Sequence, residues 1–309
     1  MSRIHEALKK AEQERSAGKG TAPEATGAPA APVFEAPAPM FARAVNPEPL
    51  SSTLIAEAPE TIREIESLEV AENLLLTRSV EARWNPDSKT MLFFGNQENL
   101  RGMEQFRTLR ARLFAMRERS PLKTILVASA LPKEGKSFVS ANLAQVLARR
   151  EERRVLLIDG DMRAPQLHAA FGTNSTPGLG EYLLGEADEF SVMQRGALEN
   201  LFFVPSGRAV EHPAELIANG RFGNFLRRVE PLFDWIILDS PPAVPVSDAS
   251  LLASYCDGVL MVVRSNSTPY DKAQRAQLEF AGKNIVGAVL NGMAQDGEYA
   301  RYYADVYEK

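Results

Sequence analysis

Residues 124–150 read TILVASALPKEGKSFVSANLAQVLARR, and three patterns follow one another within them. The apolar, β-branched run at 124–128 predicts a buried strand, and the apolar spacing from 138 to 149 predicts a helix. The turn between them ends in Gly-Lys-Ser at 135–137. A strand, a glycine-containing turn and a helix in this order are typical of a loop that binds phosphate.

Downstream of this stretch, short apolar runs alternate with longer helical patterns. The runs are almost continuously apolar, as expected of strands that helices cover on both faces. We therefore predict an α/β fold of the P-loop NTPase type, with a doubly wound, mainly parallel sheet and the ligand at the carboxyl ends of its strands. The further predicted strands are 155–158, 201–204, 235–238, 259–263 and 285–290, and the predicted helices include 137–150, 213–229, 248–255 and 269–283.

The chain on either side of this fold differs in composition. Residues 1–15 have apolar residues at helical spacing, which predicts a short amphipathic helix. Seven prolines and ten alanines within residues 16–50 break every periodicity and indicate a disordered, semi-extended linker. The predicted organisation is a helix at 1–15, the linker at 16–60, a helical or extended lead-in at 61–99, a P-loop domain at 100–294 and a tyrosine-rich tail at 295–309.

Composition excludes several functional classes. A formal net charge of −5 disfavours bulk binding to nucleic acid, so we expect no nucleic-acid partner. One cysteine, Cys256, cannot close an intramolecular disulfide, and with three scattered histidines it does not make a zinc site. No apolar run approaches the roughly 20 residues of a membrane helix, and the N-terminus lacks the apolar core of a secretory signal. We expect a cytoplasmic protein.

The turn after the first strand matches a phosphate-binding loop in which Ala130 replaces the leading glycine. We expect Lys136 to reach the β- and γ-phosphates of ATP, and the Ser137 hydroxyl to coordinate Mg²⁺. Asn291 ends the last strand, where it either contacts the adenine base or forms a plain turn. A chance Gly-Lys-Ser turn is the alternative for the loop itself. The predicted nucleotide contacts are Pro132, Lys133, Glu134, Gly135, Lys136, Ser137, Phe138 and Asn291.

Two further acidic motifs follow predicted strands. Asp159 and Asp161 come directly after the second strand, with Arg163 close behind. If the extended backbone continues, both carboxylates point to the same side, and two like charges so close need a cation or a proton between them. Asp239 ends the strand at 235–238, where a P-loop enzyme places a magnesium ligand. An Asp-rich turn neutralised by Arg163, and a plain strand-ending turn at Asp239, are the alternatives.

Taken together, the motifs at 129–137, 156–163 and 236–242 resemble the Walker A, A′ and B motifs of the bacterial tyrosine kinases that control capsule and exopolysaccharide assembly. The resemblance extends over residues 100–309. It implies an ATP- and Mg²⁺-dependent protein-tyrosine kinase that phosphorylates its own tail and regulates polysaccharide synthesis and export. In that interpretation the catalytic residues are Lys136, Asp159 as the base, Asp161 and Arg163, and the metal ligands are Ser137, Asp161 and Asp239.

Two other features fit this resemblance. Glu104, Arg107 and Arg110 repeat the family's E-x-x-R-x-x-R spacing, which in such kinases lies on a helix between neighbouring subunits of a ring. An intrahelical pair of Glu104 with Arg107 on a solvated face is the alternative. Four of the seven tyrosines lie in the last eleven residues, and the resemblance makes them phosphoacceptors. A helix that packs one tyrosine face is the alternative there. These four are Tyr299, Tyr302, Tyr303 and Tyr307.

The resemblance also implies partners. They are further copies of this chain in a ring, a cognate tyrosine phosphatase and a separate transmembrane adaptor of the polysaccharide co-polymerase type, which would recruit the kinase to the inner face of the plasma membrane. Two other functions stay open. One is a non-kinase P-loop ATPase of the kind that partitions plasmids or places division sites, although those have a lysine where Leu131 stands. The other is a nucleotide-gated oligomeric scaffold without catalysis.

Overall fold

A single eight-stranded sheet in the order β1-β4-β5-β3-β6-β2-β7-β8 organises the protein in this computed structural model. Neighbouring strands run parallel, except that β4 pairs antiparallel with β5. The mainly parallel sheet predicted from the sequence is confirmed. The strands are β1 Val80–Glu81, β2 Thr124–Ser129, β3 Val155–Asp159, β4 Gln194–Arg195, β5 Leu201–Val204, β6 Trp235–Asp239, β7 Gly258–Arg264 and β8 Ile285–Asn291.

The structure describes residues 60–88, 90–94, 100–149 and 153–293. All of them belong to the compact unit Glu57–Lys309. The predicted helix at 1–15, the linker up to residue 59 and the tyrosine tail at 295–309 lie outside the described residues. None of the helices in the described part combines the length and apolar character that crossing a bilayer requires.

Helices connect the strands and cover both faces of the sheet. Helix α1 coincides with the helical spacing that begins at residue 61, and α3 follows the phosphate loop. The described helices are α1 Glu60–Arg78, α2 Leu100–Arg117, α3 Lys136–Ala148, α4 Leu167–Phe171, α5 Leu179–Leu184, α6 Pro213–Ala218, α7 Arg221–Val229, α8 Asp248–Ala253 and α9 Tyr270–Glu279, with a 3-10 turn at Glu230–Leu232.

The six strands predicted from apolar runs are all present, with ends that differ by at most one residue. The continuous helix predicted at 213–229 is wrong, because α6 ends before Asn219 and α7 begins at Arg221. Gly220 between them has φ +85°, a left-handed conformation that interrupts a helix. The Asn219 side chain accepts a hydrogen bond from the Arg221 amide at 2.9 Å, which stabilises the new helix start.

Apolar side chains lie on both faces of the sheet, and the alternation along one strand shows it. In β3, Leu156 and Ile158 pack into one core cluster, whereas Val155 and Leu157 pack into the other. Every residue of β3 and β6 is buried. Burial on both faces explains why these strands read as continuous apolar runs. It also leaves the carboxyl ends of β2, β3 and β6 as the places where their polar residues emerge together.

Candidate active site

The loop between β2 and α3 has a backbone shape that its sequence must permit. Lys133 has φ +66° and Gly135 has φ +97°, so both lie in the left-handed region. A Cβ atom at Gly135 would stand 2.1 Å from Asn291 Nδ2. Glycine is therefore required here for conformation and for space. Gly135 is also the residue that precedes the first turn of α3, where a helix presents free N–H groups.

Side chains from distant parts of the chain hold this loop in place. The Glu134 carboxylate accepts the Leu131 N–H at 2.8 Å and the Thr268 hydroxyl. Arg264 donates to the Lys133 carbonyl at 3.0 Å. Asn291, which the sequence predicts as a nucleotide contact, donates its amide to the Glu134 carbonyl at 2.9 Å. Residues at the end of β7, just after β7 and at the end of β8 thus hold the loop in place.

We expect Gly135→Ala to weaken nucleotide binding at least tenfold, because the new methyl group displaces the Asn291 amide and deforms the loop. Gly282→Ala is the matched control: Gly282 has φ +80°, but nothing lies within 4 Å of its Cβ position. Both variants should lose about 1–2 kcal/mol of unfolding free energy from the left-handed conformation alone. A fluorescent ATP analogue measures the affinity, and equal affinities for the two variants would contradict the close packing at Gly135.

Lys136 lies at the centre of the site. Its Nζ is 3.0 Å from Asp161 Oδ2 and 3.6 Å from Asp239 Oδ2, and it also donates to Ser137 Oγ at 3.2 Å. Burial alone lowers the pKa of Lys136, but Asp239 and Asp161 outweigh burial, and the net effect is a raised pKa. The lysine therefore keeps its charge throughout the neutral range.

Asp239 connects β6 to the first turn of α3. Its carboxylate accepts the Ser137 hydroxyl at 2.6 Å and the Ser140 hydroxyl at 2.9 Å. The side chain is fully buried. Asp239 is also in register with Asp159 on the adjacent parallel strand β3, so the two acidic residues end neighbouring strands side by side. This is the juxtaposition that the sequence predicts for the carboxyl edge of a parallel sheet.

Asp159 is the most perturbed group in the cluster. Its carboxylate is fully buried and accepts backbone N–H groups of Asp161 at 3.2 Å and Leu167 at 3.3 Å. Burial, followed by the neighbouring Asp239, raises the pKa of Asp159 to about 8, although Lys136 acts in the opposite direction. Without a ligand, this carboxyl group holds its proton at neutral pH.

The charges of the cluster do not balance. Asp159, Asp161 and Asp239 are all buried, and Lys136 is the one cation for which the described contacts show an ion pair with this group. Burial also raises the pKa of Asp239, which Lys136 and the two serine hydroxyls only partly oppose. Even with the proton on Asp159, the carboxylates of Asp161 and Asp239 around one ammonium leave an excess of negative charge. A divalent cation fits that excess and the oxygen-rich donor set.

Arg163 has a different partner from the one the sequence suggested. Its guanidinium makes a bidentate pair with Asp248, with Nε to Oδ2 at 2.8 Å and Nη2 to Oδ1 at 3.0 Å. Asp248 is buried at the start of α8, whereas the Arg163 side chain is 42% exposed. The hydrogen bond to Asp248 raises the pKa of Arg163. The pair ties the segment after β3 to the segment after β6, and the catalytic role of Arg163 stays a prediction.

A double-mutant cycle should show that this pair is coupled. We expect Arg163→Ala and Asp248→Asn to give a coupling free energy of about 1–2 kcal/mol, since the bonds are bidentate and one partner is buried. The exposed pair of Arg208 with Glu186 is the control, with an expected coupling of about 0.5 kcal/mol or less. Urea unfolding measures both cycles. Equal coupling for the two pairs would show that the buried pair has no special structural role.

The other predicted site residues have clear positions. Pro132 and Lys133 are exposed in the loop, and the Phe138 ring packs edge-on against Phe106 of α2 at 5.9 Å between centroids. Phe138 thus contacts the neighbouring helix with its side chain, which leaves its backbone amide as the possible nucleotide contact. The four tail tyrosines lie outside the described residues.

The three residues of the predicted subunit contact lie on α2, as expected. Arg107 Nη1 is 3.0 Å from Glu104 Oε2, which is the intrahelical pair of the alternative interpretation. Arg110 donates to the Val146 carbonyl of α3 at 2.9 Å. Glu104 and Arg107 therefore face outward as a pair, and Arg110 is turned toward its own domain. A ring contact through these residues stays a prediction.

Sequence reasoning missed several residues that shape the site. Ser140 and Asp248 contact predicted site residues across 99 and 85 positions of the chain, respectively. Thr268 and Arg264 brace the loop across 134 and 131 positions. The sequence signal for Ser140 was a polar residue within an apolar helical pattern. No local sequence feature marks Asp248, Thr268 or Arg264 as part of the site.

A strand, a Gly-Lys-Ser loop that opens a helix, and an aspartate at the tip of the adjacent parallel strand together define the P-loop NTPase class. The class follows from the described geometry alone. The tyrosine-kinase resemblance of the motifs is more specific and is tested by comparison with known proteins.

Residues 123–272 match the family model of an AAA domain. Tyrosine-protein kinase YwqD of Bacillus subtilis is 34% identical over 204 residues, which cover 64% of this chain and 85% of that protein. Tyrosine-protein kinase Wzc of Salmonella typhimurium is 31% identical over 205 residues, or 66% of this chain and 28% of that protein. The solved kinase domain of the Escherichia coli tyrosine kinase ETK matches with a TM-score of 0.59 at 32% identity, over 63% of this chain and 78% of that one.

The chain belongs to the family of bacterial tyrosine-protein kinases, because the similarity to the Bacillus kinase extends over most of that relative. It spans only about 28% of the longer Salmonella relative. The kinase resemblance inferred from the three motifs and the P-loop fold predicted from the strand pattern are both confirmed.

Proposed function

We propose that this chain is an ATP- and Mg²⁺-dependent protein-tyrosine kinase that phosphorylates the tyrosines of its own tail. The observation that supports this most directly is the buried cluster of Lys136 with Asp159, Asp161 and Asp239 beside the phosphate loop. Family membership supports the reaction class. The tail tyrosines Tyr299, Tyr302, Tyr303 and Tyr307 supply acceptors within the same chain.

The phosphate loop and its lysine would hold the nucleotide. Backbone N–H groups of residues 133–138 and the positive end of α3 suit a polyphosphate, and Lys136 supplies a point charge for its terminal phosphates. In the described part of the chain, no three His, Cys, Asp or Glu side chains are grouped as a metal site by themselves. Ser137, Asp161 and Asp239 would therefore hold Mg²⁺ together with oxygens of the nucleotide. The bound ion would neutralise charge on the transferred phosphate.

Asp159 is the proposed base. Its raised pKa keeps it protonated when neither nucleotide nor Mg²⁺ is bound, and added positive charge next to Asp161 and Asp239 would lower that pKa toward neutrality. A carboxylate that becomes charged as the site fills can then accept the proton of a tyrosine hydroxyl. The hydrogen bonds from the Asp161 and Leu167 amides orient the carboxyl group for this role.

The wider setting of this kinase is also part of the proposal. It would regulate capsular or exopolysaccharide synthesis and export, be recruited to the inner face of the plasma membrane by a separate transmembrane adaptor of the co-polymerase type, and be reset by a tyrosine phosphatase. Self-association in a ring would use the outward side of α2, where Glu104 and Arg107 lie. These partners rest on the family resemblance.

Incubation of the purified chain with labelled ATP and Mg²⁺, with and without the adaptor's cytoplasmic segment, tests this proposal. We expect phosphotyrosine on the wild type and a strong reduction when all four tail tyrosines are changed to phenylalanine. Release of inorganic phosphate without phosphotyrosine would instead favour a non-kinase ATPase. If the adaptor segment is present and neither product forms, the nucleotide-gated scaffold is favoured and the kinase proposal is wrong.

A further inference from the structure

A second concave site lies between α5 and α7, outside the nucleotide cluster. Its cavity has a volume of about 410 Å³ and is lined by Tyr182, Arg221, Asn224, Arg227 and Arg228. None of these residues belongs to the phosphate loop or the carboxylate group. Three arginines and a tyrosine thus line one cavity in a chain whose formal net charge is −5.

Helix α7 places the arginines together because its other face is apolar. Phe222, Phe225, Leu226 and Val229 are buried in the core. At 100° per residue, the polar residues of α7 then fall within about a third of the helix circumference, on the outward side. The cavity is therefore a direct result of the amphipathic pattern of this helix.

Two of the three guanidinium groups lack a carboxylate partner among the contacts of the described residues. Arg228 pairs with the buried Glu189 at 2.5 Å. Arg227, by contrast, donates to the Asn224 side-chain oxygen. The Arg221 guanidinium lies over Gly185, where a Cβ atom would be 2.7 Å from its Nη2. Arg221 and Arg227 thus give the cavity about two unbalanced positive charges.

Tyr182 provides an aromatic wall. Its ring packs edge-on against Phe225 at 5.0 Å between centroids, and the residue is 9% exposed. Burial, followed by the neighbouring Glu189, raises the pKa of Tyr182, so the phenol stays protonated and can donate a hydrogen bond. An aromatic wall, a hydroxyl donor and two guanidinium groups without a carboxylate partner in the described contacts suit a phosphate group attached to an aromatic ring.

We propose that this cavity binds phosphotyrosine in the tail of this chain, residues 294–309. The identity of the ligand rests on the proposed function, because that activity makes the phosphotyrosines. A volume of about 410 Å³ is within the usual range for small-ligand sites. Clusters of arginine are a common means of recognising phosphorylated peptides.

The length and charge of the tail agree with this occupant. Residues 294–309 contain four acidic and two basic side chains, which leaves a charge of −2 before modification. Each phosphate adds about −1.5 to −2. Sixteen residues extend to at most about 55 Å. Strand β8, which precedes the tail, is three positions from β6 in the sheet, or about 14 Å. The extended length of the tail therefore exceeds the distance from β8 to β6, the strand that follows α7 in the chain.

Binding of a synthetic tail peptide tests this inference without relying on kinase activity. The peptide comprises residues 294–309 with phosphate on all four tyrosines and a fluorescent label. It is titrated by anisotropy against the full-length four-phenylalanine chain, whose own tail cannot be phosphorylated and compete. The cavity variant is Arg221→Gln with Arg227→Gln. The control is Arg119→Gln with Arg275→Gln, which removes two exposed arginines elsewhere.

We expect the phosphorylated peptide to bind at least tenfold more tightly than the unmodified peptide. The cavity variant should lose at least tenfold in affinity, and the control should stay within twofold of the parent. Circular dichroism melts establish that both variants fold. Equal binding of the two peptides, or equal affinities of the two variants, would overturn the inference. So would inorganic phosphate that displaces the peptide at micromolar concentration, because the cavity would then be a free-phosphate site. An inactive enzyme that still binds the peptide would contradict the proposed function alone.

Discussion

Lys136→Met is expected to lower the rate of tyrosine phosphorylation by roughly 10³-fold, because a preorganised charge aimed at the reacting group contributes on that scale. The lysine amine lies 3.0 Å from Asp161 and 3.6 Å from Asp239 and is the cation of the buried cluster in the described contacts. Its loss removes the charge that opposes the carboxylates and that, in the proposed function, would face the phosphates of ATP. Initial rates of phosphotyrosine formation at saturating ATP and Mg²⁺ measure the effect.

Lys272→Met is the matched control for this variant. Lys272 is on α9 and has its ion pair with the adjacent Asp271 at 3.4 Å. It should retain the activity of the parent within about twofold, as surface substitutions away from such features usually do. If Lys136→Met kept more than a tenth of the parent rate, the assignment of this lysine to phosphate binding would be wrong.

Asp159→Asn should lower the phosphorylation rate by roughly 10²–10⁴-fold, the range for loss of a general base. The affinity for an ATP analogue should change little, because the hydrogen bonds of Asp159 among the described residues come from the Asp161 and Leu167 amides and not from the phosphate loop. A large loss of rate with nucleotide binding preserved separates this residue from Lys136. Weakened nucleotide binding with an unchanged rate constant at saturation would contradict the assignment as base.

The same variant should change how stability depends on pH. Burial, together with Asp239, raises the pKa of Asp159 in the folded chain to about 8, whereas an unfolded aspartate has a pKa of about 3.9. The folded state thus binds this proton more tightly. Its stabilising effect is complete below about pH 4 and is lost as the pH rises through about 8, by at most about 1.4 kcal/mol per pH unit.

We therefore expect the unfolding free energy of Asp159→Asn, relative to the parent, to rise between pH 5 and pH 8 when nucleotide and Mg²⁺ are absent. Asp188→Asn is the control of opposite sign. Burial alone raises the pKa of Asp188, but hydrogen bonds from Ser191 and Phe190 lower it overall. The stabilisation that the Asp188 carboxylate contributes is lost only in acid. The unfolding free energy of Asp188→Asn should therefore differ from that of the parent by the same amount at every pH from 5 to 8. Urea unfolding at three pH values measures these free energies. If the unfolding free energy of Asp159→Asn had the same pH dependence as that of the parent, the raised pKa of Asp159 would be refuted.

The site residues that could be predicted from the sequence are those that lie at, or shortly after, the carboxyl ends of strands. Gly135, Lys136 and Ser137 follow one strand, and Asp159 and Asp239 end two others. Parallel strands deliver their carboxyl ends to the same edge, so these residues converge whatever the details of packing. The fold could also be predicted, because each buried strand is a continuous apolar run that can be recognised within a window of a few residues.

The parts that the sequence does not predict depend on side chains that meet only in the folded chain. The bond between Arg163 and Asp248 joins residues 85 positions apart, and the bond between Glu134 and Thr268 joins residues 134 positions apart. Local periodicity contains no information about such pairs. The helix break at Gly220 is different, because the Asn-Gly pair at 219–220 is a readable turn signal within an otherwise helical pattern.

The most direct test of the central claim is to map and count the product. Full-length protein is incubated with ATP, Mg²⁺ and the adaptor segment, ADP is quantified, and modified residues are identified by tandem mass spectrometry. The expected result is phosphate on Tyr299, Tyr302, Tyr303 and Tyr307, with about one phosphotyrosine formed for each ADP released, since phosphoryl transfer consumes one ATP per event. ADP formed without any modified tyrosine in the tail would contradict the claim.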